Sequence, residues 1–237
     1  MISLGLDPSL RSFGWALVNT SLKGQSRRVD SGHESTLSST CQPARYLHLQ
    51  QLVRDLINKY QKIDVIGIES PAYSAGPFQS IHHSLMMFSL AEIFLARKDC
   101  VLFDPSTREY LIRNGKKGKL NKSDVQRFVQ LDTMDPISLQ NDEADAYVIG
   151  FFAARFLELR RGLIKPQDLS PAEAQKFLYM TKQKKTPIGK RLIKTAHLFR
   201  ENKRFFDFSR VPFGTITLPE RSEMNPDILK YVENETM

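Results

Sequence analysis

The chain has 237 residues, of which 41% are hydrophobic and 25% are charged, as is normal for a soluble globular protein with a sizeable core. No apolar run reaches membrane-spanning length and the first residues form a predicted strand, so we expect no membrane span and no signal peptide. The two cysteines, Cys41 and Cys100, exclude a disulfide framework and a zinc cluster, which favours a reducing cytoplasm.

The net charge of +8 comes from one segment of the chain. Residues 1–161 carry 20 Lys and Arg against 17 Asp and Glu, residues 162–205 carry 11 against 3, and residues 206–237 carry 3 against 6. This pattern favours a polyanionic partner, with nucleic acid first and an anionic membrane surface second, although a solvated basic face would have the same composition. We predict two domains, 1–162 and a basic extension over 163–237 with an acidic tail.

In chain order, the elements alternate between strands and helices. Apolar residues from Ile2 end at one carboxylate, Asp7, and after a turn a second apolar run covers 13–18, which predicts a hairpin. A more polar strand over 28–36 would lie at a sheet edge. Later predicted elements are helices over 44–60, 80–98, 106–113, 122–134 and 141–163, with strands over 64–69 and 100–103 between them. The fold class is therefore α/β, with a mixed β-sheet flanked by helices.

Acidic residues stand at the ends of two predicted strands and at the start of one helix. Asp7 and Glu69 each end an apolar strand, and Asp142 and Asp145 are three residues apart, so they share a helix face. Each alone could be a turn residue or a first-turn acid that complements the helix dipole. Four converging carboxylates, however, repel one another and need divalent cations such as Mg²⁺ or Mn²⁺. Two such ions can promote phosphodiester hydrolysis.

Four segments in register resemble the RuvC-type Holliday junction resolvases, a family of the ribonuclease H-like superfamily. The resemblance covers about residues 1–160, roughly the length of the family domain. Its segments are, in order, Gly5-Leu6-Asp7-Pro8-Ser9 with Gly14, then Ile66-Gly67-Ile68-Glu69, then Lys122-Ser123-Asp124-Val125-Gln126, then Asn141-Asp142-Glu143-Ala144-Asp145-Ala146.

The resemblance implies a ribonuclease H-like fold and a metal-dependent, structure-selective DNA endonuclease. It would resolve four-way junctions as a homodimer by paired phosphodiester hydrolysis that leaves 5′-phosphates and 3′-hydroxyls. Two Mg²⁺ or Mn²⁺ ions would be held by Asp7, Glu69, Asp142 and Asp145, and Lys122 would contact the scissile phosphate. A nuclease for other branched DNA, such as forks and flaps, and a non-catalytic junction-binding protein remain the alternatives.

Further residues are candidates for DNA contact. Tyr73 is the candidate for an aromatic ring that stacks on an unpaired base, and Arg108, which Glu109 follows, is the candidate for a second phosphate contact. The loop residues Lys116, Lys117 and Lys119 suit backbone phosphates. In the extension we predict that a helix begins at the capping sequence Ser170-Pro171-Ala172-Glu173, and that another covers 186–204. Basic residues predicted to contact DNA there are Lys184, Lys185, Lys190 and Arg191.

Overall fold

The computed structural model describes residues 1–20, 26–70, 77–116, 120–133 and 139–181, and four short strands between residues 183 and 217. The first five strands are β1 (Ile2–Asp7), β2 (Phe13–Thr20), β3 (Ser26–Glu34), β4 (Val65–Glu69) and β5 (Asp99–Phe103). The helices are α1 (Gln42–Lys59), α2 (Pro77–Leu95), α3 (Pro105–Ile112), α4 (Lys122–Thr133), α5 (Asn141–Arg160) and α6 (Pro171–Thr181). In this part of the chain no helix is long and apolar enough to cross a membrane.

The five strands form one mixed sheet in the order β3-β2-β1-β4-β5. The hairpin β1–β2 and the pair β2–β3 are antiparallel, whereas β1–β4 and β4–β5 are parallel. The predicted α/β class, the opening hairpin and the edge position of the third strand are therefore confirmed. Because β1 and β4 run in the same direction side by side, their carboxyl ends lie at the same edge of the sheet.

Helices cover both faces of the sheet, which explains why β4 is almost wholly apolar. On one face Leu4 and Ile66 pack with residues of α1 and α2 in one core cluster. On the other face Val65 packs with α5, whose side chains from Ala144 to Glu158 are nearly all buried. The alternation along β4 follows from the period of two in a strand. The architecture is thus three layers, with α5 lying across the strands that carry the acids.

Glycine allows α5 to lie unusually close to the β1–β2 hairpin. A Cβ atom placed on Gly5 would lie 1.8 Å from the carbonyl oxygen of Ala146, and one on Gly14 would lie 2.1 Å from that of Asp142. Both contacts are with helix backbone, so a side chain at either glycine would push the helix away. These two close approaches bring the first turns of α5 next to the end of β1.

Helix α6 is attached to α5 by a buried ion pair. Arg155 Nε donates to Glu173 Oε1 at 3.2 Å, and Ser170 and Glu173 form the predicted reciprocal cap at the start of α6. The rings of Phe156 and Phe177 pack edge to face with centroids 5.4 Å apart. Residues of the predicted extension up to α6 therefore share a core with the first domain, and a separate domain over 163–237 stays a prediction.

The predicted helix over 186–204 is wrong where the structure describes that range. Residues Arg191–Ile193 form a strand, β7, which pairs antiparallel with β6 (Gln183–Lys185), and β8 (Asp207–Val211) pairs with β9 (Gly214–Thr217). The intervening sequence contains Pro187 and Gly189, residue types that favour turns and disfavour helix interiors. The helical spacing of the apolar residues therefore did not predict the strand at Arg191–Ile193.

Candidate active site

The carboxyl ends of β1 and β4 place Asp7 beside Glu69. In the parallel register Leu6 lies opposite Ile68, so the acids that follow them stand at matching positions on adjacent strands. Both apolar strands are buried, which holds the two backbones rigidly, and only the terminal acids reach toward the sheet edge. The predicted proximity of Asp7 and Glu69 is confirmed.

The start of α5 brings the other two acids to this edge. Asp142 lies over Gly14, which follows the turn after Asp7, and Ser12 Oγ donates a hydrogen bond of 2.5 Å to Asp142 Oδ2. Asp145, one turn later, faces the guanidinium of Arg108, with Nη1 3.3 Å from Oδ1. Ser12 was not among the predicted site residues, and its position in the turn after Asp7 was the signal for it.

Arg108, on α3, stands between acids from two different elements. Its Nη1 lies 2.7 Å from Glu69 Oε2, and the side chain is only 15% exposed. The ion pairs with Glu69 and Asp145 raise the pKa of Arg108, although burial opposes them. Its Nε is buried with no hydrogen-bond acceptor, and the contact to Glu69 Oε2 is not a well-directed hydrogen bond. The guanidinium is held by charge rather than by matched hydrogen bonds.

The acids outnumber the one arginine, and their pKa values reflect this. Burial, followed by the negative charges of Glu69 and Asp145, raises the pKa of Asp7 well above its usual range. Burial raises the pKa of Glu69 to about 7, although Arg108 opposes the change. Burial also raises the pKa of Asp145, against Arg108 and together with Asp142. Without a further cation, the fully ionised cluster is disfavoured.

Divalent cations fit this set of donors by their chemistry. Carboxylate oxygens are the ligands that hard cations such as Mg²⁺ and Mn²⁺ prefer, and a cation would relieve the repulsion that raises the pKa of Asp7. Within the described ranges, no three His, Cys, Asp or Glu side chains already form a group that could hold a metal ion. Arg108 contacts Glu69 and Asp145 instead, so a cation at these acids would share or replace its position.

Glu143 has a different role from its acidic neighbours, Asp142 and Asp145. It accepts a hydrogen bond of 2.9 Å from Ser31 Oγ and lies 3.3 Å from His33 Nδ1, both on the edge strand β3. It therefore fixes α5 to the far side of the hairpin. His83, on α2, has its pKa lowered by burial and is not part of the acid cluster.

The remaining predicted residues fall in three groups. Lys122 is the first residue of α4 and lines a cavity together with Arg108 and Asp145, and its positive charge acts to lower the pKa of Asp145. Lys116 is exposed, and strands β6 and β7 contain Lys184, Lys185 and Arg191. The other candidates lie outside the described residues, namely Tyr73, Lys117, Lys119 and Lys190.

Comparisons with known proteins bear on the fold and the sequence. The chain is 28% identical over 159 residues to the crossover junction endodeoxyribonuclease RuvC of Neorickettsia sennetsu, covering 65% of this chain and 93% of the relative. The structure of Thermus thermophilus RuvC in complex with a Holliday junction substrate superposes with a TM-score of 0.59 at 15% identity, covering 70% of this chain and 99% of that one. A second structure of the Thermus thermophilus protein gives 0.58. No family model matches the chain.

The mixed five-stranded sheet, with acids at the ends of β1 and β4 and at the start of α5, has the ribonuclease H-like fold. Within that class the chain is similar in sequence to the RuvC resolvase of Neorickettsia sennetsu, and it shares its fold with Thermus thermophilus RuvC. The RuvC-like part spans the relatives almost completely, whereas about a third of this chain lies beyond the match.

Proposed function

We propose that this protein is a metal-dependent endonuclease that resolves four-way DNA junctions by hydrolysing one phosphodiester bond in each of two opposing strands. One observation carries the proposal: four acids from β1, β4 and α5 meet at one sheet edge, where the charged form of Asp7 is strongly disfavoured. A protein that only binds DNA gains nothing from acids that repel its ligand. The relatives' activity on crossover junctions supports the choice of substrate.

In this proposal two Mg²⁺ or Mn²⁺ ions are held by Asp7, Glu69, Asp142 and Asp145. When bound, such ions supply Lewis acidity toward a phosphate and lower the pKa of a bound water. The protein contributes by holding the donors: Ser12 orients Asp142 through its hydrogen bond, and the buried strands fix the other acids. Binding of cations is favoured because it offsets repulsion that the fold has already imposed.

Two basic residues would act on the scissile phosphate. Lys122 is exposed beside Asp145, so its ammonium can reach a phosphate without leaving the site. There it would stabilise charge that develops during cleavage. Arg108 would turn from Glu69 toward the phosphate once cations neutralise the acids. Its lack of a hydrogen-bond acceptor at Nε is consistent with a side chain that is not locked into one arrangement.

DNA outside the cut site would contact the basic residues of the loop and of the C-terminal strands. The loop candidates are Lys116, Lys117 and Lys119, and those of the C-terminal strands and their connection are Lys184, Lys185, Lys190 and Arg191. Such lysines and arginines bind backbone phosphates without reading sequence, as junction recognition requires. Tyr73 would stack on an unpaired base at the crossover.

A homodimer would match the two-fold symmetry of a junction cut on opposing strands. Helix α2 supports this part of the proposal. Between residues 81 and 95 its only Asp, Glu, Lys or Arg is Glu92, which is buried and paired with Arg54 of α1. Met87, Ala91 and Leu95 follow one another at helical spacing on a partly exposed face with no charge. We propose that this face meets the same face of a second copy, and that the dimer acts in the cytoplasm.

Cleavage of synthetic DNA tests the function. A four-way junction, a fork, a flap and a linear duplex are each incubated with wild type and with Asp7→Asn, in Mg²⁺, in Mn²⁺ and in chelator. Paired nicks confined to the junction, absent in chelator and in Asp7→Asn while junction binding persists, are the expected result. Asp55→Asn is the matched control, since Asp55 is exposed on α1 and its loss of charge should leave cleavage unchanged.

Other outcomes lead to the two alternatives. Equal cutting of forks and flaps would keep the nuclease activity and change the substrate to branched DNA in general. Tight junction binding without cleavage in either metal would contradict the catalytic proposal and leave a binding protein. Sedimentation of the protein alone tests the dimer, and Met87→Lys should then shift it to the monomer.

A further inference from the structure

The turn between β1 and β2, residues 8–12, connects two parts of the acid site. Asp7 ends the strand before it, and Ser12 at its far end donates to Asp142 of α5 at 2.5 Å. Between them the side chain of Leu10 is only 7% exposed and packs in the core cluster that contains residues of α1 and α2. Because one proposed metal ligand precedes the turn and another is bound by it, the conformation of the turn affects where both ligands stand.

The backbone of this turn is held at one carbonyl group by two side chains from other elements. Thr36, shortly after β3, donates from Oγ1 to the carbonyl oxygen of Leu10 at 2.5 Å. Arg45, near the start of α1, donates from Nη2 to the same oxygen at 2.9 Å and from Nε to Thr36 Oγ1 at 2.7 Å. The three contacts form a closed triangle in which the carbonyl of Leu10 uses both of its lone pairs.

The guanidinium of Arg45 suits this arrangement by its shape. Its N–H groups form a rigid planar fork, so Nε and Nη2 reach two acceptors at once, whereas a lysine ammonium is a point charge on a flexible stem. A hydrogen bond from a charged donor is about twice as strong as one between neutral groups. The contacts join segments that are far apart in the chain, at residues 10, 36 and 45. The surrounding fold therefore fixes the position of the turn.

We propose that Arg45 is a positioning residue of the active site, which acts on the acids through the turn and together with Thr36. By fixing the carbonyl group of Leu10, it holds Ser12 at Asp142 and keeps the end of β1 in place, so that the acids stand where they bind a metal ion. The proposal rests on the proposed function, because it takes these acids to be cation ligands. It extends the site to a helix on the face of the sheet opposite α5.

Titration calorimetry with Mn²⁺ alone tests the positioning role. The affinity is compared for wild type, Arg45→Met, Arg45→Lys and Thr36→Val. We expect Arg45→Met to bind Mn²⁺ about 10–100-fold more weakly, as the replacement of residues that orient metal ligands commonly does. Arg45→Lys should recover only part of this loss, since one ammonium cannot replace the fork. Thr36→Val keeps the size of the side chain and removes its hydroxyl group, so it should also weaken binding, and it provides the test if Arg45→Met does not fold.

A stability control and a double variant separate positioning from general destabilisation. Val53→Ala is the matched control, because it removes buried methyl groups of α1 from the same core cluster and none of the contacts to the turn. It should lower the free energy of unfolding and leave the Mn²⁺ affinity unchanged. Ser12→Ala should weaken Mn²⁺ binding by itself. Adding Arg45→Met to it should then weaken binding by a smaller factor than Arg45→Met does in wild type, because the contact through which Arg45 acts is already lost.

Equal Mn²⁺ affinities in wild type, Arg45→Met and Thr36→Val would overturn the proposal, as would an undiminished effect of Arg45→Met in the presence of Ser12→Ala. A loss of affinity in Val53→Ala as large as that in Arg45→Met would also overturn it, since destabilisation would then be the cause. Junction cleavage by wild type tests the proposed function separately. Mn²⁺ binding without cleavage would contradict that function while the affinities still decide the role of Arg45, and a wild type that binds no Mn²⁺ would overturn both.

Discussion

Two buried clusters of charge in this protein are built in opposite ways. Between α5 and α6, Arg155 faces one acid, Glu173. Each side chain also has a second partner. Arg155 Nη2 donates to the carbonyl oxygen of Asp168, and Glu173 Oε2 accepts from the backbone N–H of Ser170. At the sheet edge, Arg108 is surrounded by more acids than it can neutralise, and its Nε has no acceptor. The first cluster is balanced and the second is not.

This difference distinguishes a charge cluster that stabilises the fold from one that is typical of a functional site. A balanced, fully bonded pair can hold two helices together, since each charge is satisfied only in the folded arrangement. An excess of buried acids destabilises the fold unless something is bound, and such perturbed groups are typical of functional sites. Removing a charge should therefore have opposite effects on stability in the two places, and the following predictions test that contrast.

The largest effect is expected at the sheet edge, on activity. Asp7→Asn should lower junction cleavage by about 1,000-fold or more, because it removes a proposed cation ligand at the end of β1. The same change should raise the free energy of unfolding in chelator by about 1–2 kcal/mol, since burial and neighbouring acids disfavour the charged form. Cleavage rates and urea unfolding in chelator measure the two. A lower free energy of unfolding for Asp7→Asn would contradict the description of the sheet edge as a site with an excess of acids.

The balanced pair should respond in the other direction. Arg155→Met leaves Glu173 buried beside the apolar rings of α5 and α6, and should lower the free energy of unfolding by about 3–5 kcal/mol. Urea unfolding measures the loss. The double variant Arg155→Met with Glu173→Leu should regain most of it, because neither charge is then left unpaired. A loss below about 1 kcal/mol in the single variant would show that the pair is not needed to attach α6.

Stability of the metal-free protein should fall as pH rises from about 4.5 to about 7. Glu69 has its pKa raised from 4.5 to about 7, so over this range the folded state holds a proton that the unfolded state has lost. Wild type should lose about 2–3 kcal/mol relative to Glu69→Gln across that window. Unfolding of both proteins in chelator at several pH values measures the difference. A constant difference would show that Glu69 titrates normally.

Replacing Arg108 should give the smallest change. It should strengthen the binding of a metal ion and slow the cleavage of DNA. Arg108→Met should tighten Mn²⁺ binding by about tenfold, since a competing positive charge is removed from Glu69 and Asp145. Junction cleavage should nevertheless slow, because a proposed phosphate contact is lost. Titration calorimetry with Mn²⁺ alone measures the affinity. Arg160→Met at the other end of α5 is the control, and equal affinities in all three proteins would place Arg108 outside the cation site.

Much of the fold and most of the acid cluster were predictable because they depend on local patterns. A buried strand reads as a short apolar run, and Asp7 and Glu69 each follow such a run. Asp142 and Asp145 share a helix face by spacing alone, whereas Glu143 contacts Ser31 and His33 instead. The helix predicted over 186–204 is wrong at Arg191–Ile193 for the same reason, since apolar residues at helical spacing lie there in a strand.

Up to α6, the sequence by itself determined the order of strands and helices and the identity of the acids, because hydrophobic periodicity and the position of an acid at the end of an apolar run are properties of neighbouring residues. Only the tertiary structure decided how far the acids are neutralised, since Arg108 reaches Glu69 and Asp145 from a separate helix. It also decided that Gly5 admits the backbone of α5. These properties depend on contacts between residues far apart in the chain, and no local pattern encodes them.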